Sequence, residues 1–82
     1  MLYSLAVTVE IKMHDVVALL EDVRTKHFES GQALLLRRGQ IGTVVTTYLD
    51  PAFDVEFADR DGRAFAIVSL PPDKLYPSCD PI

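Results

Sequence analysis

The chain has one cysteine, no tryptophan, four glycines and only eight basic residues in 82 positions. Each shortage closes off a class of protein. A single thiol, Cys79 in "YPSCDPI", cannot form an internal disulfide, which excludes a disulfide-stapled secreted mini-protein and fits a reducing cytoplasm. Four glycines and five prolines beside 49% apolar residues are too few for a low-complexity or disordered segment. Eight basic residues against twelve acidic ones leave a net charge of −4. A protein that grips nucleic acid through phosphates needs a basic face, so this total argues against nucleic acid as the partner. No apolar run nears the roughly 20 residues that span a bilayer. The opening "MLYSLAVTVEI" lacks a basic start, and Glu10 and Lys12 follow without a small-residue cleavage site. The expectation is a cytoplasmic protein without a membrane segment.

What is present suffices for one small domain. A chain of this length buries about 60–65% of its unfolded surface, so one core fits and a separate cofactor domain does not. From Tyr3 to Met13 every odd position is apolar: Tyr3, Leu5, Val7, Val9, Ile11 and Met13. That period of two predicts an N-terminal strand with one buried face. Val16 to Leu20 is a continuous apolar run, short enough for a strand covered on both faces. Glu21 to Arg38 then reads as a long folded-back loop with room for a helical turn, anchored by Leu34 to Leu36.

"RRGQIGTVVTTYLDPAFDVEF" carries the central part of the fold. Gly39 and Gly42 stand at the head of a β-branched run. Glycine at a strand start permits positive φ or a close backbone approach, as a bulge or a bent barrel strand requires. A phosphate-binding loop would lead into a helix, whereas this one leads into Val44, Val45, Thr46 and Thr47. "LDPAF" predicts a tight turn, with Asp50 and Pro51 at its first positions. Phe53, Val55 and Phe57 alternate with Asp54 and Glu56 as a strand, and "DRDG" turns the chain with Gly62 in a left-handed conformation. "RAFAIVSL" returns as a strand, and "PPDKL" predicts one tight helical turn before a last short strand at Leu75-Tyr76. The architecture expected is mainly β: a small SH3-like barrel of about five strands over residues 13–77. An extra N-terminal strand (residues 1–12) precedes it, and a flexible tail (78–82) follows.

At "DVVALLEDV", "RRGQIGTVV" and "FDVEFADRDGRAFAIVSL" the chain resembles a family of small bacterial proteins known as a domain of unknown function (DUF 4926). Its most specific piece, "RGQIGTVV", is also similar to the glycine-containing strand of KOW and related SH3-like barrels. The resemblance covers about Met13 to Leu75 and implies the barrel fold and a bacterial source. It implies no catalytic residues.

The residues themselves offer no catalytic constellation, cofactor site or metal site. His14 and His27 lack cysteine or carboxylate companions at ligand spacing. Asp59 and Asp61 form only part of a calcium loop. Ser30, Ser69 and Ser78 lack the strand-to-helix elbow of a catalytic serine, and Asp54 and Glu56 read as the wet face of a hairpin. The expected protein is therefore not an enzyme but a protein-interaction module. Arg24, Lys26, Arg37 and Arg38, with Phe28 and Tyr48 as aromatic company, are the candidate partner-binding residues. Leu5, Val7, Val9 and Ile11 are a candidate dimer edge, because a strand of that length with an unpaired flank invites a second copy. Gly39, Gly42 and Gly62 are structural. An antitoxin- or immunity-like protein, or an accessory subunit, fits this picture by analogy of fold. The competing expectation is a KOW-like RNA- or ribosome-associated module using Arg37 and Arg38.

Overall fold

Short β-branched and aromatic segments, punctuated by Asp, Gly and Pro, favour strands joined by tight turns. The computed structural model describes residues 11–77 and has that form. Its strands are β1 (Val16–Leu19), β2 (Val23–Lys26), β3 (Ala33–Leu36), β4 (Ile41–Tyr48), β5 (Ala52–Ala58), β6 (Ala64–Leu70) and β7 (Leu75–Pro77). A 3-10 turn, Pro72–Lys74, precedes β7, as "PPDKL" predicts. The protein is mainly β. Five strands form one antiparallel sheet in the order β6-β5-β4-β1-β7, and β2 and β3 form a separate hairpin.

Register puts the apolar side chains on one face. Val17 lies opposite Gly42, Leu19 opposite Leu75, Val44 opposite Val55, and Phe57 opposite Ala66. All are buried, and Val17, Leu19, Leu75, Val44, Val55 and Phe57 form one core cluster with Leu36 and Leu70. Leu70 at the end of edge strand β6 and Leu75 at the start of edge strand β7 both join that cluster. Two bulges interrupt the register. Val44 pairs with Val55 and Thr46 with Asp54, leaving Val45 as the extra residue in β4. Phe65 is the corresponding extra residue in β6. A bulge sharpens local twist at such a point. Among the described residues no rung joins β6 to β7, so hydrogen bonding leaves two sheet edges where a closed cylinder would have none.

The two glycines of the quoted segment divide the work. Gly39 takes φ +89°, where a side chain would strain the backbone. Gly42 does not have positive φ. It is a glycine because a Cβ there would lie 2.6 Å from Val55 Cγ1, 2.8 Å from Phe57 Cε1 and 3.0 Å from the Glu56 carbonyl. In the second hairpin turn Gly62 has φ +82°, and the Asp59 carboxylate accepts the N–H groups of Asp61 (2.9 Å) and Arg63 (3.0 Å). Asp59 thus serves a turn and not a cation.

Three expectations change. Val16–Leu20 is covered on one face only: Val17 and Leu19 are buried, while Val16 and Leu20 are exposed. The loop after β1 is mostly strand, Val23–Lys26 pairing with Ala33–Leu36, and the helical turn it has room for is at the hairpin tip, where Gly31 N–H donates to the His27 carbonyl at 2.8 Å. The N-terminal alternation does not run through Met13 as a strand. Met13 and His14 form a turn with His14 at φ +73°, closed by Lys12 N–H on the Asp15 carboxylate (2.8 Å) and Asp15 N–H on the Lys12 carbonyl (3.0 Å). The rest of the expected first strand and the 78–82 tail, with Cys79, lie outside the described residues.

Candidate interaction surface

The β2–β3 hairpin gathers most of the chain's concentrated basic charge. Between Val23 and Arg38 stand Arg24, Lys26, Arg37 and Arg38, against the single acid Glu29. Asp22 holds the base of the hairpin: its Oδ1 accepts the Arg38 N–H at 2.8 Å and lies 3.9 Å from Arg37 Nε. At the tip, His27 Nδ1 accepts the N–H groups of Glu29 (3.1 Å) and Ser30 (3.3 Å), and Gly31 reverses the chain at φ +75°. The His27 ring is therefore a turn-building acceptor. Phe28 projects beside it, rings 5.9 Å apart, and is half exposed.

Antiparallel pairs alternate between hydrogen-bonded and non-bonded rungs. His27 N–H donates to the Gln32 carbonyl at 2.8 Å, so Thr25–Leu34 and Val23–Leu36 are bonded rungs. Lys26–Ala33 and Arg24–Leu35 are non-bonded rungs, whose backbone groups point outward from the hairpin. On the β2 side the next outward group, Phe28 N–H, donates to the Phe65 carbonyl at 3.0 Å, which moors β2 to the edge strand β6. On the β3 side, no backbone partner for Ala33 or Leu35 exists among the described residues. The same rungs set the side chains. Arg24 stands beside Leu35, and Lys26 beside Ala33, all exposed on one face, while Leu36 enters the core from the other.

The hairpin thus unites Arg24, Lys26, Phe28, Arg37 and Arg38. Tyr48 is not part of this group. It ends β4 opposite Ala52, whereas the hairpin tip meets β6 beside the Ala58–Ala64 rung, about 20 Å away along β5. Its hydroxyl donates to Asp54 Oδ2 at 2.7 Å, and Ser69 Oγ donates to the other carboxylate oxygen. Asp54 therefore serves to tie β4, β5 and β6 on the outer face. Of the candidate dimer edge, Leu5, Val7 and Val9 lie outside the described residues. Ile11 is half-buried and packs against the core cluster, because the Lys12–Asp15 turn folds it inward. Among the described residues no group of three or more His, Cys, Asp and Glu can hold a metal ion, and no helix is long and apolar enough to cross a membrane.

A sequence model of the Domain of unknown function (DUF4926) matches residues 13–77. The chain belongs to the DUF4926 family. The match spans the structure from the Met13 turn to the end of β7, so the resemblance to this family holds. No curated protein and no solved structure matches the chain.

Sequence reasoning missed two features of this DUF4926 domain. One is the open β3 edge, whose only signal is "ALLL", a run without alternation. The other is an exposed apolar row on the outer sheet face, where Tyr76, Ala18 and Ile41 sit side by side across β7, β1 and β4. Tyr76 and Ile41 are each more than half exposed.

Two surface contacts of the DUF4926 domain give its stability a pH dependence. The hydrogen bond to Asp54 raises the Tyr48 phenol above its ordinary value, with desolvation and the Asp54 charge adding to it. The hydrogen bond to Glu21, then its charge, raises the Lys74 ammonium, with desolvation opposing. Both groups are protonated in the favourable state, so their contribution is complete below about pH 10 and fades as pH rises through the raised folded values. The urea midpoint is expected to fall between pH 9 and pH 11.5, and to fall less in a Tyr48→Phe/Lys74→Met variant. Equal slopes would remove both contacts as contributors.

Proposed function

We propose that this DUF4926 protein is a non-enzymatic protein-interaction module whose β2–β3 hairpin is the contact element. The observation that carries the reading is the composition of one hairpin face. Arg24 and Lys26 flank exposed Leu35, and Phe28 projects at the tip. A charged rim around apolar anchors is the pattern of surfaces that bind other proteins. The order of elements supports an SH3-like reading of the fold, with a long excursion after the first sheet strand and a 3-10 turn before the last. Antitoxin- or immunity-like and accessory-subunit roles remain assignments by analogy within that class.

Affinity purification from the native host, with quantitative mass spectrometry, tests the reading. A partner is expected to be captured by the wild type and by Tyr76→Ser, and lost with Phe28→Ala/Leu35→Ser. Capture unaffected by the hairpin variant but abolished by Tyr76→Ser would move the contact to the outer sheet face. The KOW-like alternative draws on "RGQIGTVV" and on Arg37 and Arg38 at the end of the hairpin. Recovery of RNA that is lost at raised salt, with no protein partner, would favour it.

A further inference from the structure

The reading of the hairpin as a contact element leaves open what kind of chain it takes. We infer that the partner supplies an acidic, extended segment that adds to β3 as a third strand, alternating apolar and carboxylate side chains. The inference rests on the proposed interaction role and narrows it.

Three observations converge on β3. The N–H and C=O groups of Ala33 and Leu35 point away from β2 without a partner among the described residues, which leaves two successive rungs for an incoming backbone. On the other flank the outward groups of Arg24 and Lys26 likewise have no backbone partner among the described residues, but Phe28 N–H on the Phe65 carbonyl holds that flank beside β6, so an added strand has freer access on the β3 side. The face that an added strand would share carries Arg24 and Lys26, with Arg37 following β3 directly and its side chain 73% exposed. Across this face, Lys26 stands beside the small Ala33, so its ammonium can reach over a methyl to a carboxylate about 10 Å away on the added strand. Leu35 offers an apolar contact on the same face. The charge distribution points the same way. A chain of net charge −4 concentrates four of its eight basic residues on one hairpin, whose acids are Glu29 at the tip and Glu21 and Asp22 at the base. Opposite charge steers an acidic segment to that hairpin and repels it elsewhere. RNA would match the charge but would leave the paired donor and acceptor groups of Ala33 and Leu35 unused.

Selection of a phage-displayed library of random short peptides on the immobilised full chain, at low ionic strength, tests the inference. The expected consensus alternates Asp or Glu with apolar residues. Selected peptides should slow amide exchange at Ala33 and Leu35, and Arg24→Glu/Lys26→Glu should weaken them about tenfold or more. Arg24→Gln/Lys26→Gln should give an intermediate loss, and circular dichroism verifies that each variant is folded. Peptides without acidic bias that are still lost with Phe28→Ala/Leu35→Ser would overturn the acidic-strand partner while sparing the hairpin as contact element. Selection of no peptide, together with binding of polyuridylate, would overturn both.

Discussion

Gly42→Val should lower the melting temperature by roughly 12–24 °C, from a cost of about 3 kcal/mol. The strain comes from space and not from φ. The Cβ alone would come within 2.6 Å of Val55 Cγ1 and 2.8 Å of Phe57 Cε1, both on fully buried residues, and within 3.0 Å of the Glu56 carbonyl. None of these is the free end of a flexible side chain, so β4 and β5 would have to separate. Gly39→Ala gives the contrast. No atom lies within 4 Å of a Cβ at Gly39, and the cost there is the backbone strain of φ +89°, about 1 kcal/mol. Thermal unfolding of both variants checks the ranking. A Gly42→Val protein that melts within a few degrees of the wild type would mean that β4 and β5 are not packed at this distance.

Phe57→Ala is the other large effect. Phe57 is the largest fully buried side chain, and its ring edge packs close to the Gly42 backbone. Removing such a ring costs about 3–5 kcal/mol through lost burial and the cavity left behind. Small domains have a margin near the low end of about 5–15 kcal/mol, so most of the stability goes with it. Phe28→Ala and Leu35→Ala, on the exposed hairpin, should stay within about 1 kcal/mol. Urea unfolding of the three variants distinguishes them. Comparable losses at Phe28 and Phe57 would mean that the hairpin tip is packed rather than presented.

Much of the sheet is readable in the sequence because its signals are local. Pro51 and Gly62 mark the two hairpin turns, and Phe53, Val55 and Phe57 alternate with acids across β5. "PPDKL" announces the turn before β7. The hairpin β2–β3 is harder. Each strand has four residues, and leucines at 34, 35 and 36 occupy both faces, so periodicity does not separate the buried Leu36 from the exposed Leu35. The Val45 bulge leaves no mark in a β-branched run. Gly42 looks like a φ-driven glycine until its distance to Phe57 is known. At the N-terminus the alternation is genuine as a pattern. The αL turn at His14, a residue type that tolerates positive φ better than most, keeps Met13 out of a strand.

The candidate surface divides along the same line. Arg24, Lys26, Phe28, Arg37 and Arg38 are close in sequence, and one hairpin keeps them together. Tyr48 resembles them only by residue type, and the strand register places it at the far end of the sheet with Asp54. The backbone vacancy at Ala33 and Leu35 carries no side-chain signature at all. It follows from which rungs of a ladder are bonded.

Residue-resolved amide hydrogen exchange of the free protein addresses that vacancy without a partner. Alternation along β3 should appear directly: Leu34 and Leu36 protected by bonds to β2, Ala33 and Leu35 exchanging near the rate of an open chain. Strong protection at Ala33 and Leu35 in the free protein would mean that the edge is already paired, and the hairpin would then have no open flank to offer.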